Sequence, residues 1–179
     1  THVVVQTTRQ QVLYRDRYQR EPIALIRNFQ PLPACMPDKP SAGTRVLWVG
    51  NIKEVKQPEL FVDLAERFAG RTEIEFWMVG RPGYHRAIRP TMDRIQHSSC
   101  LRYFGELPLD QVNRLMSQAD VLVNTSSFEG SPNTFVQAWG CGAVVVSLNV
   151  DIDGGLRQQG IGYVAGDTAK LAALIDQLA

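Results

Sequence analysis

Asn124-Thr-Ser-Ser-Phe-Glu129-Gly-Ser-Pro132-Asn-Thr-Phe-Val-Gln137-Ala-Trp-Gly-Cys-Gly142 decides how this 179-residue chain is read. The stretch follows an apolar run, Val121 to Val123, and its proline opens a helical pattern. A strand-to-helix turn leaves backbone N–H groups at the helix start without partners, with the positive end of the helix dipole behind them. Such a turn accepts anions, phosphate among them. Glu129 lies in the turn, and Gly130, Ser131, Asn133 and Thr134 surround Pro132. The segment therefore predicts a phosphate site with an acid beside it. Gln137 follows Glu129 by eight positions, about two helical turns.

Outward from this stretch, strand-like and helical runs alternate. Apolar, β-branched runs occur at His2–Gln6, Ile23–Arg27, Val46–Val49, Ile74–Val79, Leu101–Phe104, Val121–Val123, Ala143–Ser147 and Ile161–Val164. Helical faces lie between them. One is Leu60, Phe61, Leu64, Ala65 and Phe68; another is Val112, Leu115, Met116 and Ala119. A third, Leu171, Leu174, Ile175 and Leu178, is opened by Asp167 or Thr168 as cap. The alternation predicts an α/β fold, a Rossmann-like three-layer sandwich around a parallel sheet. Ligands of such sheets bind beyond the C-terminal strand ends. The loops after Val49, Val79, Phe104 and Val123 are thus expected to line the site.

Those loops carry glycines and cations. Val49-Gly50-Asn51-Ile-Lys53-Glu-Val-Lys56 follows one strand, Val79-Gly80-Arg81-Pro-Gly83-Tyr84-His85 a second, and Phe104-Gly105-Glu106-Leu107 a third. Read singly, Lys53, Lys56 and His85 are solvated surface groups, and Arg81 fits a phosphate or base contact as well as a solvated side chain. Asp153-Gly154-Gly155 allows either a close backbone approach to a ligand or a left-handed turn. Trp48, Trp77 and Trp139 lie in or beside apolar runs and are expected in the core. A nicotinamide site would need Gly-x-Gly-x-x-Gly at the first turn, where only Gly50 stands, and no P-loop occurs.

Taken together these segments resemble the C-terminal, donor-binding domain of retaining GT-B-fold glycosyltransferases (the family 4-like, group 1 class). That family's signature is Glu, seven residues, Glu, within Ser-x-x-Glu-Gly-x-Pro-x-x-x-x-Glu-Ala. Here it reads Ser126-Ser-Phe-Glu129-Gly-Ser-Pro132-Asn-Thr-Phe-Val-Gln137-Ala138, with the second acid replaced by an amide. The resemblance implies that Glu129 touches the donor sugar and that Gly130, Ser131, Pro132, Asn133 and Thr134 hold the diphosphate. It puts Gln137 at the ribose, where an amide accepts one bond without charge. It makes Lys56 the diphosphate cation and puts Asn51 where the family has an arginine. Arg81 and Leu107 fall in turns that surround the base in relatives. The implied donor is a nucleotide diphosphate sugar of the UDP or GDP type, with no further cofactor and no metal.

The same resemblance divides the chain. Residues 1–20 are expected to be a remnant of an acceptor domain, with Thr8-Arg-Gln-Gln11 its closing helix. Residues 21–44 are expected to hold an interdomain strand, Asn28 and a linker with four prolines between Gln30 and Pro40. Residues 45–179 are expected to form the donor domain, cut at its C-terminal end. The implied acceptor is a carbohydrate or a lipid-linked acceptor, engaged through the missing domain. Asn51 and Gln137, both neutral where the family is charged, leave open a non-catalytic nucleotide-sugar-binding module. A GT-B-like epimerase or phosphorylase is the third alternative.

Totals narrow the rest. A net charge of +1 gives no electrostatic case for nucleic acid. No apolar run approaches the ~20 residues of a membrane span. Cys35, Cys100 and Cys141 are odd in number and lack paired spacing, so they read as thiols of a reducing compartment. The expected location is cytoplasmic, with contact at the inner face of the membrane left open.

Overall fold

The computed structural model describes residues 2–31 and 43–179. The proline-rich stretch from Leu32 to Pro40, and Cys35 within it, fall outside them. A strand buried on both faces needs consecutive apolar residues rather than alternation. Thr44–Val49 meets that need and forms β3, with Val46, Leu47 and Trp48 at most 2% exposed. Around it run β4 (Ile74–Val79), β5 (Arg102–Tyr103), β6 (Val121–Asn124), β7 (Val144–Ser147) and β8 (Gly162–Val164). Their spatial order is β5-β4-β3-β6-β7-β8, and every pairing is parallel.

Helices cover both faces. Along each strand successive side chains point to opposite sides, so Trp48, Phe76 and Met78 enter one core while Leu47, Trp77 and Val79 enter the other. The first core is closed by α2 (Pro58–Arg67), α3 (Arg89–His97) and α7 (Thr168–Leu178). The second is closed by α4 (Leu109–Gln118), α5 (Asn133–Gly140) and α6 (Gly155–Gln159). This is the three-layer α/β sandwich expected from the alternation. Asp167 caps α7, accepting from the Lys170 amide at 2.7 Å. Trp48 and Trp77 are buried as expected, whereas Trp139 is half-buried and its indole donates to the Ile161 carbonyl at 2.7 Å.

The order of the strands locates the site. From β3 the chain builds β4 and β5 on one side, then crosses to β6 and builds β7 and β8 on the other. The crossing leaves a crevice beyond the C-terminal ends of β3 and β6, the place where doubly wound sheets bind ligands. Lys56 lies on the loop after β3 and Glu129 on the loop after β6.

Residues 2–31 make a unit of their own. β1 (Val4–Val5) pairs in parallel with β2 (Ala24–Leu25), and α1 (Thr8–Tyr18) crosses between them. Residue 20, the expected division, lies between α1 and β2. The Asp153 carboxylate ties this unit to the rest of the chain. Asp153 accepts from the Thr8 amide at 3.0 Å, the Thr8 hydroxyl at 3.1 Å and the Arg9 amide at 3.4 Å, and it pairs with Arg27 at 3.0 Å. It therefore sits on the N-terminus of α1, where a negative charge is favoured. Asn28 adds a bond from its amide to the Ser131 carbonyl at 2.7 Å.

Partial burial pushes the Asp153 carboxyl up, but the bonds from Thr8 and Arg9 and the charge of Arg27 outweigh it and hold the group below the ordinary aspartate range. A lowered folded value means that the tie is complete above the unfolded value, about 3.9. It is lost as acid carries the pH down through the lower folded value. Asp153 has φ 49°, a left-handed conformation that asparagine also accepts. Asp153→Asn therefore removes the charge without new backbone strain. We expect it to loosen residues 2–31 by on the order of 2 kcal/mol, read as faster amide exchange at Thr8 and Arg9 at neutral pH. The remaining domain should be unaffected.

Candidate functional site

The loop after β3 is short because Gln57 turns it sharply, at φ 46°, into Pro58 at the start of α2. Two residues after β6, Thr125 and Ser127, then hold it in place. Thr125 donates to the Lys56 carbonyl at 2.7 Å and accepts from the Trp48 indole at 3.0 Å. The Ser127 amide donates to the Val55 carbonyl at 3.0 Å. Ser126 faces the other way, donating to Glu129 Oε1 at 2.7 Å.

With both loops fixed, Lys56 Nζ and Glu129 Oε1 form an ion pair across the crevice. The two side chains are 20% and 13% exposed, so the pair is largely withdrawn from water and is weakly screened. Both contacts to the carboxylate fall on Oε1. Among the described residues nothing holds Oε2, which is the acceptor the group has for a ligand.

Four of the residues singled out from sequence share one cavity. Asn51, Lys56, Arg81 and Leu107, with Lys53 and Glu106, line a space of about 340 Å³ beyond β3, β4 and β5. Tyr103 braces its floor, donating from its hydroxyl to the Gly80 carbonyl at 2.8 Å. Burial, helped by the Glu106 charge, pushes the Tyr103 phenol up, so it stays a donor at neutral pH. Glu129 and Gly130 line a neighbouring polar space of about 240 Å³, bounded by Arg9, Asp151, Asp153 and Arg157. The Lys56–Glu129 pair joins the two spaces.

The helix start behaves differently along its length. α5 begins after Pro132 with no side chain capping it and no acid in its first turn, which keeps the positive end unneutralised by its own residues. Gly130 comes close to Gln10, Ser131 gives its carbonyl to Asn28, and Asn133 faces the wide groove along α1. Pro132 is buried and Thr134 half-buried. Gln137 is apart from both cavities. It is 9% exposed and its amide donates to Asn113 Oδ1 at 3.0 Å, tying α5 to α4. His85 is largely exposed and meets Glu54 at 3.1 Å. Among the described residues no group of three or more His, Cys, Asp or Glu is placed to hold a metal ion. No helix among them is long and apolar enough to cross a membrane.

Comparison with known proteins shows the family and the fold. Residues 43–179 match the family of glycosyl transferases group 1. Over 121 residues the chain is 31% identical to a 2-deoxystreptamine N-acetyl-D-glucosaminyltransferase of Streptomyces fradiae, covering 66% of this chain and 28% of that protein. Its fold is similar to that of HepE from Anabaena, solved with UDP and glucose, at TM-score 0.78 and 17% identity over 98% of this chain and 53% of that one. It is also similar to a mutant of S. aureus TarM, solved with fondaparinux, α-GlcNAc-glycerol and UDP, at TM-score 0.77 and 18% identity over 99% of this chain and 36% of that one. The fold is thus that of a GT-B glycosyltransferase domain. The chain belongs to the glycosyl transferases group 1 family, and it spans between about a quarter and a half of the length of these relatives.

Proposed function

We propose that the chain is the donor-binding domain of an enzyme that moves a sugar, with retention, from a uridine diphosphate sugar to a carbohydrate or lipid-linked acceptor. The observation that carries this reading is the Lys56–Glu129 pair at the β3/β6 crossing. A lysine there meets the diphosphate, and a carboxylate one side chain away meets the sugar hydroxyls through Oε2. As the glycosidic bond breaks, negative charge grows on the leaving diphosphate. Lys56 and the amides at the start of α5 are fixed before that charge appears, which is where preorganised donors contribute most. Arg81 and Lys53 add positive charge to the same cavity. The uridine preference rests on the nucleotide bound in HepE and TarM. Acceptor groups belong to a further domain.

Gln137 favours a second reading. Its NH₂ group donates to Asn113, so where the family has a second acid this chain has an amide tied to α4. A nucleotide-sugar-binding module without transfer activity fits that.

Calorimetric titration of the chain with UDP, GDP, ADP and NAD tests the donor site. We expect saturable UDP binding, weakened about tenfold by Lys56→Ala, the value of one charge-assisted bond of roughly 1.5 kcal/mol. Saturation by NAD in place of UDP would overturn the reading.

A further inference from the structure

Beneath Glu129 runs a column of hydrogen bonds with one end in the carboxylate and the other in the loop after β7. The Val150 amide donates to Ser147 Oγ at 2.9 Å. Ser147 Oγ donates to Asn124 Oδ1 at 3.3 Å. Asn124 Nδ2 donates to Ser126 Oγ at 3.2 Å, and Ser126 Oγ donates to Glu129 Oε1 at 2.7 Å. Ser147, Asn124 and Ser126 are 0%, 8% and 1% exposed, so water does not compete for these bonds. Asn124 and Ser147 are register partners on β6 and β7, which holds the middle of the column rigid.

The direction of the column is forced. An ionised carboxylate can only accept, so the single proton of Ser126 Oγ goes to Glu129. Ser126 Oγ must then accept from Asn124, which turns the NH₂ toward Ser126 and the amide oxygen toward Ser147. An amide oxygen only accepts, so Ser147 Oγ gives its proton to Asn124 and accepts from the Val150 N–H. A buried network satisfied at every member specifies one arrangement.

We propose that Asn124 and Ser147 are positioning residues that act through Ser126 to lock Oε1 of Glu129 and so aim Oε2 at the sugar of the donor. The inference rests on the reading of Glu129 as the sugar-contacting group. It assigns the discrimination between a nucleotide sugar and the bare nucleotide to residues that touch neither. In Asn124→Asp the side chain keeps its shape but loses its donor. A carboxylate there draws the Ser126 proton to itself and leaves Glu129 without it.

The test is calorimetric, on the 179-residue chain, with UDP and with whichever of UDP-glucose and UDP-GlcNAc binds the unmodified chain more tightly. The quantity read is the affinity ratio of nucleotide sugar to UDP. Asn124→Asp and Ser126→Ala are expected to lower that ratio roughly tenfold while UDP affinity changes less than about threefold. Ser126→Thr, which keeps the hydroxyl, should restore it. Glu129→Gln is the control. A ratio that falls in Glu129→Gln but holds in Asn124→Asp and Ser126→Ala overturns the relay and leaves the Glu129 reading standing. Equal losses of UDP and nucleotide-sugar affinity, or no rescue by Ser126→Thr, reduce the column to a structural role. A ratio unchanged in Glu129→Gln, or a native chain that binds no nucleotide sugar more tightly than UDP, removes the Glu129 reading and the inference with it.

Discussion

Glu129→Gln is expected to lower sugar transfer by the full-length enzyme by roughly 100- to 1000-fold in kcat/KM while leaving the domain folded and UDP affinity nearly intact. The reason lies in which oxygen does what. Lys56 and Ser126 both hold Oε1, and the carbonyl of glutamine can accept from both. The substitution then exchanges Oε2 for an NH₂ group, which on the proposed reading turns the acceptor offered to the sugar into a donor. A misdirected contact at the reacting sugar costs far more than a missing contact at the rim, because the group left facing it is desolvated and wrongly paired. The measurement is steady-state transfer with a labelled UDP-sugar, beside a melting curve and a UDP titration of the same variant. Transfer within about threefold of the native rate would show that Glu129 does not contact the sugar. A parallel collapse of Tm would point to the Lys56 ion pair as a stability element. An active native enzyme would also dispose of the non-catalytic module that Gln137 suggests.

Most of the sheet was legible because parallel strands buried on both faces are written as contiguous apolar runs. Each of the eight strands among the described residues falls within or overlaps a run read from sequence. α3 was not legible. Its nine residues bury only Met92 and Ile95, too few apolar positions to set a helical period. The cavity beyond β3, β4 and β5 was legible in its parts, since Gly50, Gly80 and Gly105 mark strand ends and cations follow the first two. What sequence withheld was partnership. Lys56 and Glu129 are 73 residues apart, Asp153 and Thr8 are 145 apart, and nothing in either segment names the other. Asp153 read as part of a glycine turn, and it proved to be the tie to α1. Asn124 stood at the head of the turn segment, and Ser147 at the end of a strand-like run. Only the register of β6 against β7 puts them side by side. Small polar side chains carry no periodic signal, so a buried relay of this kind becomes visible only once the strands are paired.

Gly80→Ala is expected to be the most destabilising single methyl that this domain can receive near its site. Gly80 is buried at the end of β4, and a Cβ there would lie 1.8 Å from the Gly50 carbonyl oxygen. No rotamer relieves such a contact, because the obstacle is backbone. The neighbours also pin both partners. The Gly50 amide donates to Val79 at 3.0 Å, the Gly80 amide to Gly105 at 2.9 Å, and Tyr103 holds the Gly80 carbonyl at 2.8 Å. Relief must spread the ends of β3 and β4, and that movement carries Asn51 and Lys56 with it. The cost should reach or pass the top of the ~1–3 kcal/mol range for overpacking, a fall in Tm of roughly 6–12 °C for a domain of this size. UDP affinity should fall with it, since the cavity lies between those two loops. Gly105→Ala separates crowding from loss of glycine as such. Gly105 has φ +73° and open space around its Cβ position, so alanine there costs only the left-handed conformation, about 1–2 kcal/mol. Comparable melting of the two variants would sink the crowding argument. A Gly80→Ala protein that melts well below Gly105→Ala and has lost UDP binding would show that the approach of two backbones, rather than any side chain, sets the width of this cavity.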